Sequence, residues 1–203
     1  MTVTSRTMQD EELNAPSSGA GWESQFSEVI SRDDSASTCE TASVPMEGSS
    51  DEPAIHQDMM ERWFHQVFSK AKGERFEDGM ESGFSRQLEA AIRQYSGQAI
   101  CEIDHLIGSP ECDAEVASEA LRWMGLLSHQ GTHKYRLWLL KKNLSSASPR
   151  IRDGALLALS FLDDPAAIDC VREAVKKESH AELKLDMERV LQQLEDTRRC
   201  QST

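Results

Sequence analysis

Basic residues are almost missing from the first 58 positions. Only Arg6 and Arg32 occur there, against 12 acidic side chains. That stretch carries −10 of the chain's formal charge of −13, and residues 59–203, with 20 basic and 23 acidic side chains, carry only −3. The acidity is therefore a property of the amino-terminal stretch, and the low overall pI of 4.9 says little about the remainder. Long hydrophobic runs are missing too. None approaches the roughly 18–20 apolar residues that a membrane-spanning helix needs. The opening Met1-Thr-Val-Thr-Ser-Arg6 has no apolar signal core, so the expected location is cytoplasmic, with no membrane partner. Cysteines lack paired spacing: Cys39, Cys101, Cys112, Cys170 and Cys200 are scattered, and their number is odd. This excludes a disulfide framework and points to a reducing compartment.

Catalytic signatures are equally scarce. Gly19, Gly21 and the glycines from Gly73 to Gly83 follow no strand, so a phosphate-cradling loop has no scaffold. No serine sits in a strand-to-helix elbow, and no cysteine has a context that marks a nucleophile. Cys101 and His105 lie four apart, with Cys112 just beyond, but zinc spacings that carry weight are tighter and repeated. A half-buried helix cysteine beside a surface histidine accounts for the pair. The reading is no enzyme, no catalytic residue, no metal and no cofactor.

What is present falls into three parts. Residues 1–54 are rich in Ser, Thr, Asp, Glu, Gly and Pro, with no sustained apolar period. Such a segment cannot bury enough surface to offset a chain entropy of about 1–2 kcal/mol per residue, so a disordered acidic tail is expected. One island interrupts it. Trp22, Phe26 and Ile30, with Val29, recur at helical spacing, as in a short motif that folds onto a partner or onto its own domain. Residues 55–72 form an amphipathic helix: Ile55, Met59, Trp63, Val67 and Ala71 share a stripe, with Met60, Phe64 and Phe68 beside it. Asp51, Glu52 and Pro53 are start signals, and Gly73 is a stop.

Residues 83–196 repeat. Phe84, Leu88, Ile92 and Tyr95 recur as Val116, Ala120, Met124 and Leu127, then as Ile151, Ala155, Leu159 and Leu162, and finally as Leu183, Met187, Leu191 and Leu194. Each set keeps the 4, 4, 3 spacing of one helix face. Second helices are expected between them over 99–107, 132–144 and 165–177. Their stripes are Ile103, Leu106 and Ile107; Leu137, Leu140 and Leu144; and Ile168, Val171, Ala174 and Val175. Two helices per unit at a period of 32–35 residues are the mark of an α-solenoid, in which stacking buries the faces that one pair leaves open. The final helix, 181–195, has a polar outer side suited to a cap, and the helix at 55–72 caps the other end with Trp63 and Phe64.

Ser148-Pro149-Arg150-Ile151-Arg152-Asp153-Gly154-Ala155 resembles the first helix of a HEAT repeat, with proline at the start, aspartate a few residues in, and a small residue for close packing. Asp163-Asp164-Pro165-Ala166-Ala167 is similar to that family's turn and second-helix start, where Asp favours the positive end of the helix dipole and Pro fits the first turn. The second unit, led by Ser109-Pro110-Glu111-Cys112-Asp113, lacks the arginine, and the first lacks the proline. The fold class is therefore all-α: a short right-handed α-solenoid of antiparallel HEAT-like helix pairs behind a disordered acidic tail. The resemblance implies a scaffold or regulatory subunit that binds another protein.

From Lys134 to Arg152 there are six basic residues and no acidic one: Lys134, Arg136, Lys141, Lys142, Arg150 and Arg152. With Leu137, Leu140 and Leu144 inward, Lys134, Trp138 and Lys141 share another face, and Asp169, Arg172 and Lys176 occupy the equivalent face of the next second helix. The candidate partner-binding set is Lys134, Trp138, Lys141, Lys142, Asp169, Arg172 and Lys176, a basic strip around one exposed aromatic. Its plainer counterpart is a solvated helix face with Trp138 packed on a neighbour. The expected partner is a protein with an acidic or amphipathic segment. The acidic tail is a tethered competitor for the same strip. Nucleic-acid binding, as in HEAT-like DNA glycosylases, is the alternative, disfavoured by the −3 net charge of residues 59–203. A HEAT-like pigment-lyase enzyme is a second alternative, with no motif to support it. Deleting residues 1–54 is predicted to leave helicity and melting temperature unchanged and to strengthen capture of acidic ligands by surface plasmon resonance. Unchanged affinity would remove the masking role.

Overall fold

The computed structural model describes residues 52–77 and 80–201. The tail and its motif at Trp22, Phe26 and Ile30 lie outside these residues. The described residues form eight α-helices and two 3-10 turns, with no strand. Helix α1 spans Glu52–Ala71, α2 Gly83–Tyr95, α3 Gly97–Gly108 and α4 Ala114–Leu126. A 3-10 turn, Gln130–Thr132, leads into α5, His133–Asn143. Helix α6, Pro149–Leu162, is followed by a second 3-10 turn, Pro165–Ala167, then α7, Ile168–Lys177, and α8, Ala181–Gln201. All four first helices of the repeat pattern form as the periodicity predicts.

Local chemistry sets the helix ends. The Ser82 hydroxyl accepts from Ser85 N while Ser85 Oγ accepts from Ser82 N, closing a box at the start of α2. Asp113 caps α4 by accepting from Glu115 N and Val116 N. The tight turn between α2 and α3 places Ser96 at φ 51°, a region that L side chains rarely adopt. Of the Asp163-Asp164 pair, only Asp164 starts a helix, accepting from Ala166 N. Asp163 instead terminates α6 in the left-handed conformation at φ 47°, and its carboxylate receives Gln193 Nε2 and Thr197 Oγ1 from α8.

The helices lie in two layers. First helices α2, α4, α6 and α8 stack in order, with α4 against α6 the most extensive contact in the fold. Second helices α3, α5 and α7 form the other layer, in which α3 approaches α5 more closely than α5 approaches α7. Helix α1 packs on α2 and α3, with Phe64 fully buried and Phe68 edge-on to Phe84 at 5.1 Å between ring centres. Two predicted stripes are rotated. In α1 the core face runs through Met60, Phe64, Val67, Phe68 and Ala71, and Met59 is 57% exposed. In α5 the buried positions are Arg136, Leu139, Leu140 and Asn143, followed by Leu144, whereas Leu137 is only half-buried. A period of 3.6 fits Leu137, Leu140 and Leu144 and also Leu139, Leu140 and Leu144, and the arginine decides between them. The outer side of α8 is polar as expected apart from Leu185, which is 54% exposed.

The close contact of α4 with α6 depends on two glycines. A Cβ at Gly125 would sit 2.3 Å from Ala158 O and 2.6 Å from Ala158 Cα. One at Gly154 would sit 2.7 Å from Ser118 O and 2.8 Å from Ser118 Cα. Backbone atoms cannot swing aside as a side chain can, so any larger residue forces the helices apart. Gly154→Ala and Gly125→Ala are each expected to cost about 3 kcal/mol, read by urea denaturation. Gly108→Ala, at a position with nothing within 4 Å, should leave stability unchanged or raise it by less than about 1 kcal/mol.

Candidate functional site

The second-helix layer holds every residue of the predicted strip, but pairing and burial divide the basic residues of the region. Arg136 is 2% exposed and points inward from α5, donating to the carbonyls of Met124 and His129 at the end of α4. It neutralises the negative end of that helix dipole inside its own repeat. Arg152 is likewise internal. Its Nε and Nη2 grip Glu178 at 2.7 and 2.8 Å, and its Nη1 donates to the carbonyls of Ser146 and Ala147. Arg150 pairs with Glu115 and Asp153. Lys142 sits between both oxygens of Asp104, each at 2.7 Å, and 5.2 Å over the Trp138 ring. Arg172 bridges Asp169 and Glu195, and Lys176 meets Glu173 at 2.6 Å. Of the six basic residues from Lys134 to Arg152, buried Arg136 meets only backbone carbonyls, and Lys134 and Lys141 are the solvent-reaching ones that make no ion pair among the described residues.

The predicted continuous basic strip is thus corrected to a row of closed ion pairs with a few uncompensated lysines. Sequence distance hid this, because Asp104 and Glu195 lie 38 and 23 residues from their partners. Trp138 is also not a bare aromatic: it is half-buried and packs on the core, with Lys142 over its face.

Between α5 and α7 the layer opens into a groove of about 530 Å³, bordered by Lys141, Leu144, Cys170, Ala174 and Lys177. Two tethers frame it. His133 Nε2 donates to Asp164 Oδ2 at 2.6 Å, joining the start of α5 to the turn before α7. The Arg152–Glu178 pair joins the start of α6 to the loop after α7 and lies in the groove wall. Lys177, a groove residue the sequence reading missed, carries no local signal beyond its place in the last turn of α7. A smaller hollow of about 420 Å³ lies against His65, Asp104, His105 and Lys142, but Asp104 already neutralises its lysine.

The electrostatics fit a binding face better than a reactive centre. Burial pushes the Cys101 thiol up to about 12, with Glu102 and Asp104 adding to it, and pushes Cys112 up to about 11. Both therefore favour the protonated thiol over the thiolate that nucleophilic attack uses. Among the described residues no group of three or more His, Cys, Asp or Glu is arranged to hold a metal. The Arg152 guanidinium, helped by the backbone N–H of His180, holds the Glu178 carboxyl down at about 2 against the penalty of burial. Burial raises Asp164, yet its bonds from His133 and Ala166 N leave it below the ordinary carboxylate range.

An all-helical array of stacked antiparallel pairs defines the protein as an α-solenoid. A family model for HEAT repeats matches residues 103–192, so this segment, from α3 into α8, is a HEAT-repeat domain. Comparison with curated proteins and with solved structures gives no match for the chain. Among the described residues no helix is long and apolar enough to cross a membrane.

A depressed folded-state pKa contributes stability above the unfolded value, and that contribution is lost as pH falls toward the folded value. For Glu178 the window runs from about pH 5 down to about 2. The wild-type melting temperature is expected to fall more steeply across it than that of Glu178→Gln, by the equivalent of about 2 kcal/mol. Parallel curves would refute the assignment.

Proposed function

We propose that the protein is a non-catalytic scaffold or adaptor subunit that holds an acidic or amphipathic segment of a partner protein along its second-helix face. HEAT repeats as a family mediate contacts between proteins, and the match over residues 103–192 brings that expectation to this chain. The observation that carries the reading is the opening between α5 and α7, bordered by Lys141, which makes no ion pair among the described residues; Lys134 and the half-buried Trp138 lie further along α5. An aromatic and cations at a concave, partly apolar surface are the residue types that dominate binding energy at interfaces.

Nucleic acid fits less well. Phosphate contacts need a broad positive field, and here Lys142, Arg172 and Lys176 are each matched by a carboxylate within 4 Å. The raised Cys101 and Cys112 thiols give no support to a thiolate nucleophile.

The test is a nuclease-treated pull-down from the native extract with the tagged full chain, with bound proteins identified and counted. A protein recovered near equal stoichiometry by the wild type and lost with the triple variant Lys134→Ala, Trp138→Ala, Lys141→Ala is the expected result. The variant should keep its helicity by circular dichroism. Retention of the same partner by the folded triple variant would overturn this face as the site.

A further inference from the structure

Every acid that borders the α5–α7 groove is already neutralised within the fold. Asp169 pairs with Arg172 at 2.6 Å, Glu173 with Lys176 at 2.6 Å, and Glu178 with Arg152 at 2.7 Å. Two cations on the groove walls are not. Lys141 on α5 and Lys177 on α7 make no ion pair among the described residues, and feel Asp164 and Glu173 only at longer range. The groove therefore presents two uncompensated positive charges, one from each wall, over a floor of buried Leu144 with half-buried Cys170 and Ala174.

That arrangement specifies its occupant by charge and shape. A bare anion would satisfy the lysines and leave the floor wet. A purely apolar segment would cover the floor and desolvate the lysine heads without a partner. A segment with one aliphatic side chain flanked by carboxylates satisfies both. The tethers at His133–Asp164 and Arg152–Glu178 hold the walls in place before binding, so little ordering cost falls on the protein. We infer that the groove between α5 and α7 receives an acidic partner segment, with an aliphatic residue over Leu144, Cys170 and Ala174 and carboxylates on Lys141 and Lys177. This rests on the reading of the second-helix face as the binding surface, and it adds the groove, the two lysines and the pattern of the partner.

The test uses the full chain and a fluorescein-labelled 14-residue peptide of Glu and Leu, with leucines at helical spacing, read by fluorescence polarisation. A Lys/Leu peptide of equal length and a labelled single-stranded oligonucleotide are the controls. The inference expects binding of the acidic peptide alone, weakened at least tenfold by Lys141→Glu and by Lys177→Glu. Arg189→Ala, which removes a paired cation on α8, should change it less than twofold. Lys177 is exposed at the end of its helix, so Lys177→Glu keeps the test valid even if Lys141→Glu fails to fold. Equal binding of the basic peptide, preference for the oligonucleotide, or indifference to Lys177→Glu would overturn the inference. If the acidic peptide fails while the pull-down partner is still lost with the triple variant, the groove assignment falls and the second-helix face stands. Failure of both removes the underlying reading.

Discussion

The direct backbone contact between α4 and α6 is the constraint on which the rest of the structure depends. Gly125 lies against Ala158, and Gly154 lies against Ser118, at separations where no Cβ fits. Ala117, Ala120, Ala155 and Ala158, all fully buried, continue the small-residue surface around that contact. Short side chains let the first-layer helices approach until their backbones meet, and dispersion over so many close atoms holds them. The second layer has no such glycine-to-backbone contact between α5 and α7. Leu144, Cys170 and Ala174 are joined there by long charged side chains, and the helices approach less closely. The groove follows from this difference between the layers.

The arginines do a second structural task that their charge alone conceals. Arg136 donates to the carbonyls of Met124 and His129, and Arg152 to those of Ser146 and Ala147, at a helix end and in loops. Arg136 joins α5 to the end of α4, and Arg152 joins α6 to the end of α7 through the bidentate grip on Glu178, each within its own repeat. A lysine in either place could not reach two or three acceptors in fixed directions. The same planar fork that often marks a binding hot spot at a surface here serves the interior, so the basic residues of α5 and α6 separate into framework and face.

Much of the framework was legible from the residues. The 4, 4, 3 spacing located all four first helices, and Asp113 and Gly154 acted as their types imply. The stripe of α5 was misplaced because a buried arginine counts as polar in any periodicity argument, though it lies on the inward face. The α1 stripe shifted by one position because Met59 and Met60 are equivalent by composition and only the packing of Phe64 and Phe68 separates them. Among the strip residues, Lys134 and Lys141 were read in roles the ion pairs leave open. Lys142 and Arg172 were not, since their acids come from α3 and α8, and Lys176 is matched by Glu173 one turn before it on its own helix.

By itself the sequence determined the helix pairs, their period and the separation of an acidic amino-terminal stretch from a nearly neutral repeat region. These depend on residue types at short spacing, which each turn of helix reads independently. Only the tertiary structure decided which cations stay uncompensated, how far Trp138 is covered and where the second layer opens. The partners of Lys142 and Arg172 on other helices and the His133–Asp164 tether lie 20 to 40 positions away, brought together by the stacking of helices. Local periodicity carries no record of such distances.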